Sequence, residues 1–114
     1  KVFDYLIDEC ANSDRSIITG DINTGLHFID EKGKSFYCAD ALHQLNQIMP
    51  DAYRHLHGEK KEYSWFSNAG NGFRIDHFMV SPSMLGDVRR CEYKHGPRES
   101  KASDHSAMSL ELSA

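Results

Sequence analysis

The stretch RIDHFMVS, residues 74–81, has the composition of a buried β-strand with charged groups at one end. Side chains alternate along a strand, and large apolar groups here fall on both faces, which is typical of a strand covered by a layer on each side. Burying Asp76 in such a strand is costly unless its carboxylate is paired or hydrogen-bonded. Arg74, two residues away on the same face, is the simplest partner, so a structural ion pair is the default interpretation. Two further stretches favour a functional site instead.

Length and composition indicate one domain. The chain has 114 residues, of which 39% are hydrophobic and 26% charged, as in ordinary soluble globular proteins. No apolar run reaches the length of a membrane span and no secretory leader opens the chain, so we expect no membrane partner. The chain does not begin with Met, and Lys1 leads directly into a helical pattern. We therefore expect it to be part of a longer protein.

Cysteine spacing and charge indicate the setting and the partners. The three cysteines are widely spaced without a C-x-x-C pair, which argues against a disulfide framework or a zinc knuckle and favours a reducing, cytoplasmic setting. The net charge of -4 disfavours a protein that holds nucleic acid by bulk attraction. Residues 52–114, however, hold nine Lys or Arg against eight Asp or Glu. A surface that contacts phosphates should come mainly from this second half.

Hydrophobic periodicity predicts a leading helix followed by the order β-α-β-β-β-β. Apolar side chains at i, i+3, i+4 and i+7 from Phe3 predict a helix that ends near residues 12–14. Asp40 fits the N-cap of a second helix, which Pro50 ends, after a loop at residues 24–39. This order predicts an α/β or α+β layered domain. The other predicted elements are strands at 16–19, 62–67, 74–81, 88–94 and 107–112, short helical turns at 51–54 and 82–85, and a glycine-rich turn at 68–72.

Polar residues follow or precede three of these strands. Asp21 and Asn23 come just past the first strand, Asp76 begins another, and Asp104 and His105 lie just before the last. Antiparallel neighbours bring such ends together, so we expect carboxylates, an amide and an imidazole at one rim of a sheet. Mg²⁺ takes oxygen ligands and needs only one or two protein carboxylates, with Mn²⁺ as an alternative ion. The set therefore suits phosphodiester chemistry, in which a carboxylate or a carboxylate-oriented His organises the attacking water.

Each segment alone has a structural explanation. The G-D-x-N sequence at residues 20–23 is a common turn, and the pair at 104–105 could cap a helix or strand. The other six histidines show no metal-binding spacing, and we expect them to be surface or core residues. It is the order of the three segments together that favours a site.

Five segments resemble one family. In order they are G-D-I-N at 20–23, D-A-Y-R at 51–54, Y-S-W-F at 63–66, R-I-D-H at 74–77 and S-D-H at 103–105. They look like the exonuclease III branch of the endonuclease/exonuclease/phosphatase superfamily, which shares its fold with deoxyribonuclease I. The resemblance covers nearly the whole chain. It implies a fold in which two mostly antiparallel sheets stack with helices outside, of which this chain would supply half, with helices on one face of its sheet.

The resemblance also implies roles for individual residues. Asp21 would be the active-site carboxylate at the attacking water and the metal, and Asn23 would bind the scissile phosphate. Asp76 would orient His105, which contacts the phosphate or serves as the base, and Asp104 would lie in the metal shell. Family members differ on whether the base is the equivalent of Asp21 or of His105, so the resemblance leaves the base open.

Three further residues are implied to bind substrate. Trp65 and Phe73 flank the glycine-rich turn and look like the aromatic residues that line the pocket for an abasic sugar in DNA-repair relatives. Arg54 of the D-A-Y-R segment joins them as a substrate-binding residue. The alternative for the two aromatics is plain core packing, because strand aromatics usually are core.

The chain also departs from the family pattern. Family members are about twice as long, and their first half supplies a metal-binding Glu in a Gln-Glu motif. Here Gln44 is followed by Leu45 and Gln47 by Ile48, and no proline-containing loop follows residues 20–23. We therefore expect residues 1–114 to be the C-terminal half of the domain, with the missing N-terminal half as a partner.

The expected parent is a Mg²⁺-dependent hydrolase of DNA repair, an abasic-site endonuclease or 3′-exonuclease whose other partner is DNA. The half alone should be weakly active or inactive, and its uncovered sheet predicts self-association. Two alternatives stay open. The parent could instead hydrolyse a phosphate monoester or a lipid or small-molecule phosphodiester, or the half-domain could be a non-catalytic binding module.

Overall fold

The structure, a computed structural model, describes residues 2–26, 29–31 and 39–113. It mixes helices with antiparallel strands, which confirms the predicted α/β (α+β) class. The helices are α1 Val2–Ala11, α2 Ala39–Ile48, α3 Ala52–His57 and α4 Gly96–Glu99, and a 3-10 turn spans Pro82–Asp87. The strands are β1 Ile17–Asp21, β2 Trp65–Phe66, β3 Gly72–Phe73, β4 Asp76–Val80, β5 Val88–Lys94 and β6 Ala107–Leu112.

The strands of the described residues form three antiparallel pairs, β1 with β4, β2 with β3, and β5 with β6. In the first pair Ile17 is opposite Val80 and Asp21 is opposite Asp76. Isolated bridges join Trp65 to His105 and Asp51 to Met79. The ends of three strand pairs therefore meet near Asp76 and His105.

Strand β4 lies between two apolar clusters. Met79 packs with the buried faces of α1 and α2, whereas Val80 packs with α3 and β5. Both side chains are fully buried, at 0% exposure. The prediction that this strand is covered on both sides is confirmed, and the packing fixes the position of Asp76 at its start.

The predicted ion pair between Arg74 and Asp76 is wrong. Arg74 precedes β4, so the strand alternation that would place it beside Asp76 does not apply, and its backbone N–H donates to the carbonyl of Asp30 at 2.6 Å. Its fully buried guanidinium donates instead to the carboxylates of Asp30 and Asp51. Asp76 is thereby left for another partner.

A buried charge cluster surrounds this arginine. Arg54 adds a second guanidinium on Asp30, and Asp51 also caps α3 by accepting from the backbone N–H of Arg54 at 3.2 Å. Burial raises the pKa of Asp51, but Arg74 outweighs it and holds that pKa well below the usual range. The pKa of Asp30 is lowered by the same balance. The cluster ties the loop at residues 29–31 to α3 and to the start of β4.

Several element boundaries differ from the sequence prediction. Strand β1 continues to Asp21 rather than ending at residue 19, and Asp40 lies within the first turn of α2, which begins at Ala39. Of the strand predicted for residues 62–67 only Trp65–Phe66 is regular, because its partner β3 is equally short. The short helix α4 was not predicted, although Pro97 near its start fits a first helical turn. Part of the loop predicted at 24–39 lies outside the described residues.

Within the described part of the chain, the helices are all too short or too polar to cross a membrane. The cysteines Cys10 and Cys91 are buried free thiols, and burial raises the pKa of both. The third cysteine, Cys38, lies outside the described residues.

Candidate active site

The imidazole of His105 is hydrogen-bonded to the carboxylate of Asp76. The Nδ1 atom of His105 lies 2.7 Å from Oδ2 of Asp76. Asp76 is held by the packed strand β4, and the bridge to Trp65 holds the backbone at His105. An ionised carboxylate only accepts hydrogen bonds, so Nδ1 carries the proton and Nε2 faces away from Asp76.

Two more carboxylates lie on the Nε2 side of this imidazole. Oδ2 of Asp21 is 3.7 Å from Nε2 of His105, and Oδ1 of Asp104 is 4.0 Å from the same atom. Asp21 is also directly opposite Asp76 across the β1–β4 pair. Like charges directly opposite one another destabilise a strand pair, and a protonated imidazole between them offsets the repulsion.

The exposure of the four side chains shows which way the site opens. Asp76 is 16% exposed and His105 is 25% exposed, whereas Asp21 is 41% exposed and Asp104 is 83% exposed. The site is therefore closed behind Asp76 and open to solvent where Nε2, Asp21 and Asp104 meet. A ligand has access to the Nε2 side of the imidazole.

The carboxylates raise the pKa of His105. Burial favours the neutral imidazole and lowers this pKa, but the hydrogen bond to Asp76 and the charges of Asp76, Asp21 and Asp104 together outweigh it. The net shift is upward from the ordinary value of 6.5. His105 thus holds a proton at a higher pH than a free histidine.

The donor atoms of the site lie close enough to share a cation. Asp21, Asp76 and His105 each offer one ligand atom, and these atoms all lie within 4.8 Å of one another. Carboxylate oxygens are ligands that Mg²⁺ and Mn²⁺ prefer, whereas an imidazole nitrogen is more usual with transition metals. Asp104 adds a further carboxylate at the exposed rim.

Asn23 lies beside Asp21 in an unusual backbone conformation. Its φ of 60° falls in the left-handed region, and its backbone N–H donates to Oδ1 of Asp21 at 2.9 Å. Asn tolerates this region better than most residues, and local bonds of this kind favour it at such turns. The Asn23 side chain is exposed to solvent.

One aromatic ring, that of Trp65, adjoins the imidazole, and a second, that of Phe73, adjoins Trp65. The ring centroid of Trp65 is 5.7 Å from that of Phe73 and 6.5 Å from that of His105. Trp65 and Phe73 are opposite each other in the β2–β3 pair, and both are partly exposed. The structure therefore brings Trp65 next to His105, with Phe73 beside Trp65.

Arg54 is not brought into this group. Its guanidinium donates to the carbonyls of Gly58 at 2.9 Å and Lys60 at 2.6 Å, and to the carboxylate of Asp30. These internal acceptors engage both Nη groups of the guanidinium. The expectation of a substrate contact at Arg54 therefore has no support in this geometry.

Two residues outside the predicted site hold the backbone at Asp76 by hydrogen bonds. The Ser64 hydroxyl accepts from the backbone N–H groups of Ile75 at 3.1 Å and Asp76 at 3.3 Å. The Tyr93 hydroxyl donates to the Asp76 carbonyl at 2.6 Å. Ser64 lies in the Y-S-W-F segment, which was the only signal for it, and Tyr93 had none beyond its strand position.

No family model matches the chain. Solved structures do match. The 3′-5′ exonuclease NExo from Neisseria meningitidis is 23% identical with a TM-score of 0.82, covering 99% of this chain and 51% of that one. An AP endonuclease from Archaeoglobus fulgidus is 19% identical with a TM-score of 0.82, again covering 99% and 51%. The AP endonuclease LMAP from Leishmania major is 19% identical with a TM-score of 0.78, covering 99% and 42%.

A further match is a Neisseria 3′ phosphatase NExo bound to a product DNA hairpin, at 22% identity and a TM-score of 0.81. The chain spans about half the length of the structures it matches. It therefore has the fold of one half of these proteins, as the resemblance implies.

Proposed function

We propose, from the fold that this chain shares with half of several DNA exonucleases and AP endonucleases, that it is the C-terminal half of a metal-dependent enzyme that hydrolyses phosphodiesters in DNA. The reaction would be of the abasic-site endonuclease or 3′-exonuclease type. The observation that carries the proposal is the His105 imidazole, bonded to Asp76 through Nδ1 and facing Asp21 through Nε2.

This arrangement provides the proton chemistry that the reaction needs. Asp76 accepts the Nδ1 proton and so keeps the ring oriented, which leaves Nε2 to take or hold a proton at the open side. Asp21, 3.7 Å from Nε2, is the other group at that position able to accept a proton from water. The proton acceptor is thus Asp21 or His105, and the two act on the same side of the site.

The donor set fits a Mg²⁺ ion, with Mn²⁺ as an alternative. Asp21 and Asp104 would hold it, because their carboxylates are the exposed oxygens of the site while Asp76 is engaged by His105. When bound, such an ion neutralises charge on the phosphate and lowers the pKa of a bound water. Asn23, beside Asp21, would contribute an amide donor to the phosphate.

DNA would lie against the aromatic pair beside His105. Trp65 and Phe73 are partly exposed rings, which suits stacking against a sugar or a base. These partly exposed rings are the feature that supports nucleic acid over a small-molecule substrate.

The N-terminal half of the domain would complete the site. The chain covers only 51% of the matched exonuclease. All residues of β1 except Ile18 are exposed, Ile17 at 44%, and among the described residues β1 pairs only with β4. An open strand edge with an exposed apolar side chain favours a covering partner. We therefore expect the half alone to be weakly active or inactive and prone to self-association.

The test is nicking of a DNA duplex that carries one synthetic abasic site, with Mg²⁺ or with EDTA. Two proteins are compared: this chain alone, and an extended protein in which the natural reading frame continues upstream. Each is assayed beside its His105→Ala and Asp76→Asn variants. Metal-dependent nicking by the extended protein, lost in both variants, is the expected result. Ser83→Ala is the matched control, because it removes a side-chain hydrogen bond to Asp14 without touching the site.

Absence of nicking by the extended protein under all conditions would overturn the proposal. A duplex with a 3′-phosphate end belongs in the same assay, since one matched structure is a 3′ phosphatase. Release of phosphate without strand cleavage would replace the diesterase assignment by a DNA 3′-phosphomonoesterase, which uses the same site.

A further inference from the structure

The loop at residues 96–105 carries two residues of the candidate site and is compact. It leaves β5 after His95 and returns to β6 through Ser106, with Asp104 and His105 at its end. Inside it, the Ser103 N–H donates to the carbonyl of Pro97 at 3.1 Å, and the His105 N–H donates to Oγ of Ser103 at 3.1 Å. Loops of this kind, with close ends and internal contacts, hold a defined shape.

The two ends of this loop are joined by side chains. Nδ1 of His95 lies 2.6 Å from Oγ of Ser106. Arg98, within the loop, donates from Nε to the same hydroxyl oxygen at 3.1 Å, and its guanidinium lies 4.8 Å from the ring centre of Phe66. The neck of the loop is therefore closed by contacts separate from the β5–β6 ladder.

Glu62 anchors this neck from outside the loop. Its Oε2 lies 2.7 Å from Nε2 of His95, and its Oε1 accepts from the Tyr53 hydroxyl at 2.6 Å. Burial raises the pKa of Glu62, but these two hydrogen bonds outweigh it, so the pKa is lowered and the group is ionised. An ionised Glu62 only accepts hydrogen bonds, so Nε2 of His95 is the donor to it and Nδ1 is the atom that contacts the Ser106 hydroxyl.

The anchored neck leads directly to the imidazole of the site. The Ser106 N–H donates to the carbonyl of Ser64 at 2.8 Å, and Trp65 forms the bridge to His105. Segment 62–65 therefore contacts the end of the loop through the Glu62 side chain, the Ser64 carbonyl and the Trp65 backbone. Ser64 also accepts from the Asp76 N–H, so one segment locates both members of the Asp76–His105 pair.

We propose that Glu62, His95 and Ser106 form a clasp that closes the neck of loop 96–105 and sets the position of His105 against Asp76. The three are positioning residues for the active site, a role that rests on the proposed function. The hydrogen-bonded sequence of side chains, from Ser106 to His95 to Glu62, resembles a nucleophilic Ser-His-acid triad. However, Ser106 is only 5% exposed and its oxygen accepts from Arg98, so the hydroxyl is not presented to a substrate.

The experiment compares amide hydrogen exchange and the His105 imidazole signals in the wild-type chain and in Ser106→Ala, Glu62→Gln and the double variant. We expect each single change to speed exchange at the Glu99, Lys101 and Ser106 amides about tenfold, with no change at the paired β5–β6 amides. The two changes should be less than additive, because both act through His95. The protected Nδ1–H signal of His105, bonded to Asp76, should weaken in the same variants.

The matched control is Glu92→Gln, which removes a carboxylate from β5 whose surface pair with Lys94, at 3.7 Å, lies outside the clasp. Equal acceleration of loop and strand amides would mean general destabilisation and would overturn the proposal, as would an unchanged His105 signal. None of these readouts needs activity. If the loop opens as expected while the extended protein fails to cut DNA, the clasp stands and the proposed nuclease function falls.

Discussion

Asp21 and Asp76 are direct neighbours across the β1–β4 pair, and His105 is the only cationic group that the described residues place between them. When His105 is neutral, this pair is two opposed carboxylates on adjacent strands, an arrangement that costs stability. Proteins retain destabilising arrangements of this kind mainly at functional sites, where the charged groups are held in position for a ligand. The relationship leads to opposite expectations for stability and for activity.

Asp21→Asn should stabilise the fold while abolishing the nicking that we propose for the extended protein. The change removes the repulsion with Asp76, and we expect the free energy of unfolding to rise by about 0.5 kcal/mol in alkaline buffer, where His105 is neutral. Urea unfolding measures this change. Asp104→Asn is the control, since Asp104 is 83% exposed and should leave stability nearly unchanged. A loss of stability in Asp21→Asn would show that the carboxylate is structural.

Stability should also depend on the protonation of His105. The pKa of His105 is higher in the folded state than in the unfolded chain. Its contribution to the free energy of unfolding is therefore fully present below the pKa of the unfolded chain, and it is lost as the pH rises through the raised pKa of the folded state. The free energy of unfolding of the wild type, minus that of His105→Gln, should therefore be larger at about pH 5.5 than at about pH 9. The Asp76→Asn variant should reduce this difference. An equal difference at both values would mean that the carboxylates do not act on the imidazole.

Arg74 should be among the most costly residues to replace. Arg74→Met leaves Asp30 and Asp51 buried without their main cation, and we expect a loss of about 3–5 kcal/mol in urea unfolding. Arg90→Met is the matched control, because Arg90 is 70% exposed and pairs with Glu111 at 3.9 Å, which predicts a loss below about 1 kcal/mol. Similar losses in the two variants would contradict the buried cluster.

The same cluster sets the response to acid. The pKa values of Asp30 and Asp51 are lower in the folded state than in the unfolded chain. The stability that these carboxylates contribute is therefore present above their pKa in the unfolded chain, and it is lost as the pH falls through their pKa values in the folded state. In the wild type this loss should begin only below about pH 4. In Arg74→Met the two carboxylates no longer have this cation, and unfolding should already begin at a higher pH.

The elements with strong periodicity could be predicted from the sequence, and the long-range pairings could not. Strands β5 and β6 and the covered strand β4 follow from alternating side chains, and α2 from its apolar face. The partner of Arg74 depended instead on packing, because any of the 17 Asp and Glu residues was chemically suitable and the two that bind it lie 44 and 23 residues away in the chain. The alternation of side chains along a strand suggested Asp76 as the partner of Arg74. That suggestion failed because β4 begins only at Asp76.

The candidate site, too, has features that the sequence predicted and features that it did not. Its main residues could be proposed from the order of short motifs, but the contacts that hold them had no local signal. His95 was assigned to surface or core, and Glu62 is separated from it by 33 residues, so their 2.7 Å contact emerges only from the fold. For Arg54 the motif suggested a substrate contact, and the fold adds internal partners for its two Nη groups, Asp30 and nearby carbonyls, that no local signal indicated.

Asn23 allows the backbone and the side chain to be separated by mutation. Its φ of 60° is costly for a residue with a β-carbon other than Asn or Asp, so Asn23→Ala should lose about 1 kcal/mol of unfolding free energy. Asn23→Gly adopts the same φ freely and should retain stability. Both variants lack the amide, so both should lose nicking by the extended protein to a similar degree. If Asn23→Gly remains active while Asn23→Ala does not, then the conformation at this turn matters and the amide does not bind the phosphate.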